Sequence, residues 1–265
     1  MIRIISIVTM LLLLSACETT RESKTGNIGA ATTTVKERSF DKKKAAANRV
    51  NTGLTYLNRN NYQRAKFHLD KALEYDPKSG DVHYAFGLYF QRVKELKKAE
   101  DHFKEAMDTD SRNGKYLNAY GAFLCERNQF KQADKMFHKA IDIPTYPDVA
   151  SAFFNVALCA VKQNQSDKAE SYFRKALNRD RNMAGALIEM AKIEYTKQRY
   201  TRAMSYLKRF ENNGRISSES AWLGLRTAHY MRDKDSIARY GLILEQRFPD
   251  SDETAEYLDD KKRWM

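Results

Sequence analysis

Six alanines recur along this chain at near-constant spacing: Ala65, Ala99, Ala133, Ala169, Ala203 and Ala238, separated by 34, 34, 36, 34 and 35 residues. The stretches around them align, as in YQRAKFHLDKAL, LKKAEDHFKEAM, FKQADKMFHKAI and SDKAESYFRKAL. Four residues after each alanine stands Leu69, Phe103, Phe137, Phe173, Leu207 or Leu242. Seven after it, in the first four copies, stands Ala72, Ala106, Ala140 or Ala176, and upstream lies Gly53, Gly87, Gly121, Ala157 or Ala191. Residues at i, i+4 and i+7 share one face of a helix. A period of this length marks an array of helical hairpins, each burying its apolar face only against its neighbours. Only 4 prolines and 11 glycines occur in 265 residues, which weighs against a turn-rich β architecture.

The pattern resembles the tetratricopeptide repeat, and six copies span 46 to about 252. The resemblance implies an all-α, right-handed superhelix of paired helices A and B, with the A helices lining a concave groove. Small residues at positions 8 and 20 let the two helices approach, and the ring or leucine at position 24 fills the gap between neighbours. Pro77 closes the first repeat. A two-residue insertion around IPTYPD, with Pro144 and Pro147, lengthens the third. Repeats 5 and 6 are degenerate, with Phe210 and Glu245 where alanine is expected. Thr254 to Met265 reads as a last helix, with Tyr257, Leu258 and Trp264 covering the end of the stack.

The N-terminus is a separate matter. Ile4 to Leu14 is apolar but shorter than the roughly 20 residues of a spanning helix. With Arg3 ahead of it, it has the form of a signal peptide. Leu14-Ser15-Ala16-Cys17 matches the bacterial lipobox, so residues 1–16 are expected to be removed and Cys17 to carry lipid. Glu18, not aspartate, follows Cys17, which favours the outer membrane over the inner. Residues 17–45 are polar and threonine-rich, the composition of a flexible tether. Residues 46–265 are left as the repeat domain, facing the periplasm.

No catalytic constellation stands out: there is no phosphate-binding glycine loop, no His-x-x-x-His and no paired Cys-x-x-Cys. No cofactor, metal or small-molecule substrate is expected, and the chain reads as non-enzymatic. Of the histidines His68, His83, His102, His138 and His229, His68 and His102 share one repeat position, which repetition alone explains. The net charge of +12 permits contact with nucleic acid or anionic membranes. Its scatter among 34 acidic residues reads instead as solvated helix faces, and a periplasmic address argues against nucleic acid. With Cys17 assigned to lipid, Cys125 and Cys159 remain on neighbouring A helices. They are either a disulfide, in an oxidising compartment, or two buried thiols.

Toward the C-terminus the likeness narrows. YGAFLCERNQF, TYPDVASAFFNVALCAVKQ and SAWLGLRTAHYMRDKDSIARYGLILEQRFPDS are similar to the type IV pilus biogenesis lipoproteins, the secretin pilotins. That resemblance implies an outer-membrane lipoprotein that binds the secretin subunit and promotes its localisation and multimer assembly. It also supports the Cys125–Cys159 bridge. Groove positions of this repeat class fall on Val50, Leu54, Leu57, Tyr84, Leu88, Gln91, Arg92 and Asn118, an apolar floor with a polar rim suited to a partner segment. A second reading is a repeat lipoprotein that regulates a periplasmic enzyme such as a peptidoglycan synthase.

Overall fold

The computed structural model describes residues 40–259 and 261–264. The lipobox, Cys17 and the tether up to residue 39 lie outside them. Every regular element among the described residues is a helix. They run α1 (Lys42–Asn58), α2 (Tyr62–Tyr75), α3 (Gly80–Arg92), α4 (Leu96–Thr109), α5 (Gly114–Glu126), α6 (Phe130–Ile141) and α7 (Val149–Lys162). Then follow α8 (Ser166–Arg179), α9 (Ala184–Thr196), α10 (Tyr200–Asn212), α11 (Ser218–Met231), α12 (Lys234–Arg247), α13 (Asp252–Asp259) and α14 (Lys261–Trp264). Odd and even helices from α1 to α12 pair as six antiparallel hairpins, and successive hairpins stack. The result is the expected tetratricopeptide superhelix. None of the described helices is long and apolar enough to cross a membrane.

The hairpins are close because their facing residues are small. Ala65, Ala99, Ala133, Ala169 and Ala203 are fully buried. A Cβ on Gly87 would lie 2.7 Å from the ring of Phe103, and one on Gly121 equally close to Phe137. α3 and α5 thus rest their backbones directly on a ring of their B helices. Between the two helices of each hairpin the chain reverses through one residue in the left-handed region: Asn60, Lys94, Asn128, Asn164, Gln198 and Arg232. Asparagine tolerates that conformation because its short side chain bonds locally, and it fills three of the six places.

These turns correct the register of the sixth repeat. Arg232 follows Gln198 by 34 residues, which carries the alanine position from Ala203 to Ile237, 8% exposed, while the ring that rests on Gly224 is Tyr240, fully buried and 33 residues after Leu207. Ala238 is exposed and Leu242 is 53% exposed. Ala238 therefore lies one residue past the alanine position, which Ile237 holds.

Both ends of the domain also differ from expectation. The first helix starts at Lys42, not 46, with the Asp41 carboxylate accepting from the Lys44 amide at 3.0 Å as its N-cap. At the C-terminus there are two short helices instead of one. Tyr257 and Trp264 do cover the stack, Trp264 meeting Trp222 edge-on at 5.0 Å, but Leu258 is 50% exposed. Cys125 of α5 and Cys159 of α7 are joined as a disulfide with Cα atoms 5.9 Å apart, which settles the two alternatives. It fastens the third hairpin to the fourth across the IPTYPD insertion.

Candidate partner-binding groove

The A helices α1, α3, α5 and α7 neighbour one another in series and line one face of the stack. The expected groove residues divide by burial. Val50 and Leu57 are 5% and 3% exposed and belong to the floor's underside, where they offer a partner little surface. Leu54, Tyr84 and Leu88 are half-buried and pack on the core from above. Gln91 is half-buried and Arg92 exposed, forming a polar edge at the end of α3. A partner therefore meets an apolar strip of Leu54, Tyr84 and Leu88.

Tyr84 is held by its neighbours. Its ring lies 5.7 Å from that of Tyr116, and the Lys115 ammonium sits over both, 4.8 Å from Tyr84 and 5.2 Å from Tyr116. The Tyr116 hydroxyl donates to Asp81 at 2.8 Å, and Lys115 pairs with the same carboxylate. Burial alone would raise the Asp81 carboxyl, but the hydrogen bonds from Lys115 and Tyr116 outweigh it and hold it below its usual range. Burial raises the Tyr84 phenol, with Asp81 and Asp148 adding to the effect. Both tyrosines stay neutral hydrogen-bonding groups, while charge is confined to the Asp81–Lys115 pair.

Asn118 is 7% exposed, so it is a framework residue more than a contact. Its amide donates to the Tyr146 hydroxyl at 3.4 Å, and its carbonyl accepts from Asn155 at 3.0 Å. The chain of Tyr146, Asn118 and Asn155 ties α5 to α7 and to the insertion. Tyr146 was not among the sequence candidates. It rides over Gly114, where a Cβ would lie 2.4 Å from its ring, and burial with Asp148 nearby pushes its phenol up to about 12. The signal was present in the two-residue insertion, but spacing shows only where the chain is longer, not which side chain folds back. An apolar strip with fixed polar edges offers an amphipathic or extended segment a surface to bind.

Such a groove on a stack of helical hairpins defines a tetratricopeptide-repeat interaction scaffold. The tetratricopeptide repeat family matches residues 47–79, 111–182 and 157–219. The type IV pilus assembly protein PilF of Pseudomonas aeruginosa is 36% identical over 212 residues, which cover 80% of this chain and 84% of that protein. The chain belongs to the family of this pilus assembly protein. The solved structure of P. aeruginosa PilF superposes with a TM-score of 0.71 at 35% identity, covering 83% of this chain and 99% of that one. The structure of PilW, described as a widely conserved type IV pilus biogenesis factor, gives 0.69 at 25% identity, covering 80% and 98%. The family places this chain in type IV pilus biogenesis.

Proposed function

We propose that this protein is a secretin pilotin. In this reading it is held by lipid on Cys17 at the periplasmic face of the outer membrane. There it receives the pilus secretin subunit in the α1–α3–α5 groove and promotes its localisation and multimer assembly. The observation that carries the reading is the relation to PilF, which runs through most of the repeat domain. The groove supports it: an apolar strip between charged edges suits an amphipathic helix or an extended segment of a client. Two acyl chains suffice for stable anchoring, and a tethered adaptor raises the effective concentration of its client where insertion occurs.

A deletion strain tests the reading. Secretin multimers should fall while monomer persists, and a wild-type copy should restore them. Normal multimers, correctly localised, would sink it. Capture from detergent-solubilised envelopes separates the reading from regulation of an enzyme: recovery of a peptidoglycan synthase without secretin supports that rival.

A further inference from the structure

One cluster lies outside the groove strip. In the first, second and fourth repeats position 4 of the A helix meets position 23 of the B helix, and the slot is filled differently in each. In the first, the Arg49 guanidinium meets His68 Nδ1 at 3.0 Å. In the fourth, Phe153 meets Tyr172 with ring centroids 6.1 Å apart. Packing thus accepts an aromatic pair there and does not require imidazoles. In the second repeat the slot holds His83 and His102, their Nδ1 atoms 3.0 Å apart. Position 26 adds a third donor there, Glu105, with a carboxylate oxygen 2.6 Å from His83 Nδ1 and 3.9 Å from His102 Nδ1. The first and fourth repeats carry Lys71 and Lys175 at that position.

The donor set is oriented from outside. His83 Nε2 lies 2.9 Å from the Pro77 carbonyl oxygen, which can only accept. A ring proton therefore sits on Nε2, and in that neutral tautomer the Nδ1 lone pair faces His102 and Glu105. A lone pair 2.6 Å from a carboxylate oxygen is repulsive unless a cation is shared between them. An orienting carbonyl on the far nitrogen is the usual support of a metal-binding histidine. His102 is fixed by stacking on Phe86 at 5.0 Å and Phe90 at 5.3 Å.

We propose that His83, His102 and Glu105 form a three-ligand site for a divalent transition metal, Zn²⁺ in the first instance. This departs from the expectation, read from the sequence, that the chain holds no metal. Zn²⁺ takes nitrogen and oxygen ligands at about 2.0–2.2 Å in tetrahedral geometry, which sets donors about 3.3 Å apart. The separations of 2.6, 3.0 and 3.9 Å bracket that value. Imidazole and carboxylate suit Zn²⁺ and leave out softer metals that want thiolate. Side-chain exposures of 12%, 22% and 55% give entry from the Glu105 side and leave a fourth position open to water. A bound ion would join α3 to α4 and, through the Pro77 carbonyl, brace the loop before α3, which carries Tyr84 and Leu88.

Metal titration of the chelator-stripped mature chain, with any tag removed, tests this. One equivalent of Zn²⁺ should bind and raise Tm. Co²⁺ in its place should show the visible absorption of four-coordinate cobalt. Outer partners of metal ligands are already worth about 10- to 100-fold in affinity. Glu105→Gln, at an exposed position, should therefore weaken binding by at least about 10-fold, and His83→Gln or His102→Gln by at least about 100-fold. His68→Gln should change nothing. Circular dichroism shows which variants fold, and Glu105→Gln carries the test if a histidine variant does not. Absence of stoichiometric binding, or equal binding by Glu105→Gln and wild type, overturns the proposal and makes the cluster an imidazolium–carboxylate pair.

Discussion

At the scale of single residues, the domain depends on side chains that are not there. Gly87 gives α3 contact with Phe103 that any Cβ would forbid at 2.7 Å. Alanine favours a helix by up to about 1 kcal/mol over glycine, but overpacking a tight core costs about 1–3 kcal/mol. Gly87→Ala should therefore unfold at lower urea, with a net loss of about 1 kcal/mol, where an exposed helical glycine would show a gain. Charged residues are legible in a different experiment. Glu170 receives hydrogen bonds from Lys197 and Arg174, both at under 3 Å, and Lys197 chiefly holds its carboxyl below the ordinary 4.5. A lowered carboxyl stabilises the fold fully above the unfolded value and less as pH falls through the folded one. Urea midpoints measured down an acid series should drop for wild type below about pH 4.5. Glu170→Gln should start lower near neutrality and show a flatter acid limb.

At the scale of helices and hairpins, the sequence was a good guide where small and large residues alternate in phase. From Gly53 over Leu69 to Ala191 before Leu207, five repeats have the register that the spacing gives, and their alanines are buried. The sixth departs from the alanine spacing because Ile237 stands at the alanine position and Ala238 one residue beyond it. Only the left-handed turn at Arg232 reveals the phase, and a turn conformation has no side-chain period. The groove was legible as a set of positions but not as a surface. Periodicity places Val50, Leu57 and Asn118 on the right face without telling that neighbours cover them. The disulfide belongs to this scale too. Closing 34 residues between Cys125 and Cys159 restrains the unfolded chain by about 3–4 kcal/mol in the chain-entropy picture. The Cys125→Ser, Cys159→Ser double variant should lose stability of that order in urea, and reductant should bring wild type down to the same midpoint but leave the variant unmoved.

At the scale of the whole molecule, repeats interact mainly with their neighbours, so a groove several helices long is the natural product of the sequence. Its apolar strip lies in the first hairpins, the part of the repeat domain nearest in sequence to Cys17. If the lipid on Cys17 brings client and membrane together, Cys17→Ser should leave a folded chain that is released from membranes, with secretin multimers reduced and the chain's affinity for secretin kept. Fractionation followed by multimer electrophoresis reads both. The most direct test of secretin binding in the groove is the secretin multimer-to-monomer ratio in a strain whose only copy carries Leu88→Asp and Arg92→Glu, at half-buried and exposed sites. With the variant folded and expressed at wild-type level, the ratio should collapse toward that of the deletion strain. A ratio equal to wild type would contradict the groove as the place where secretin is held.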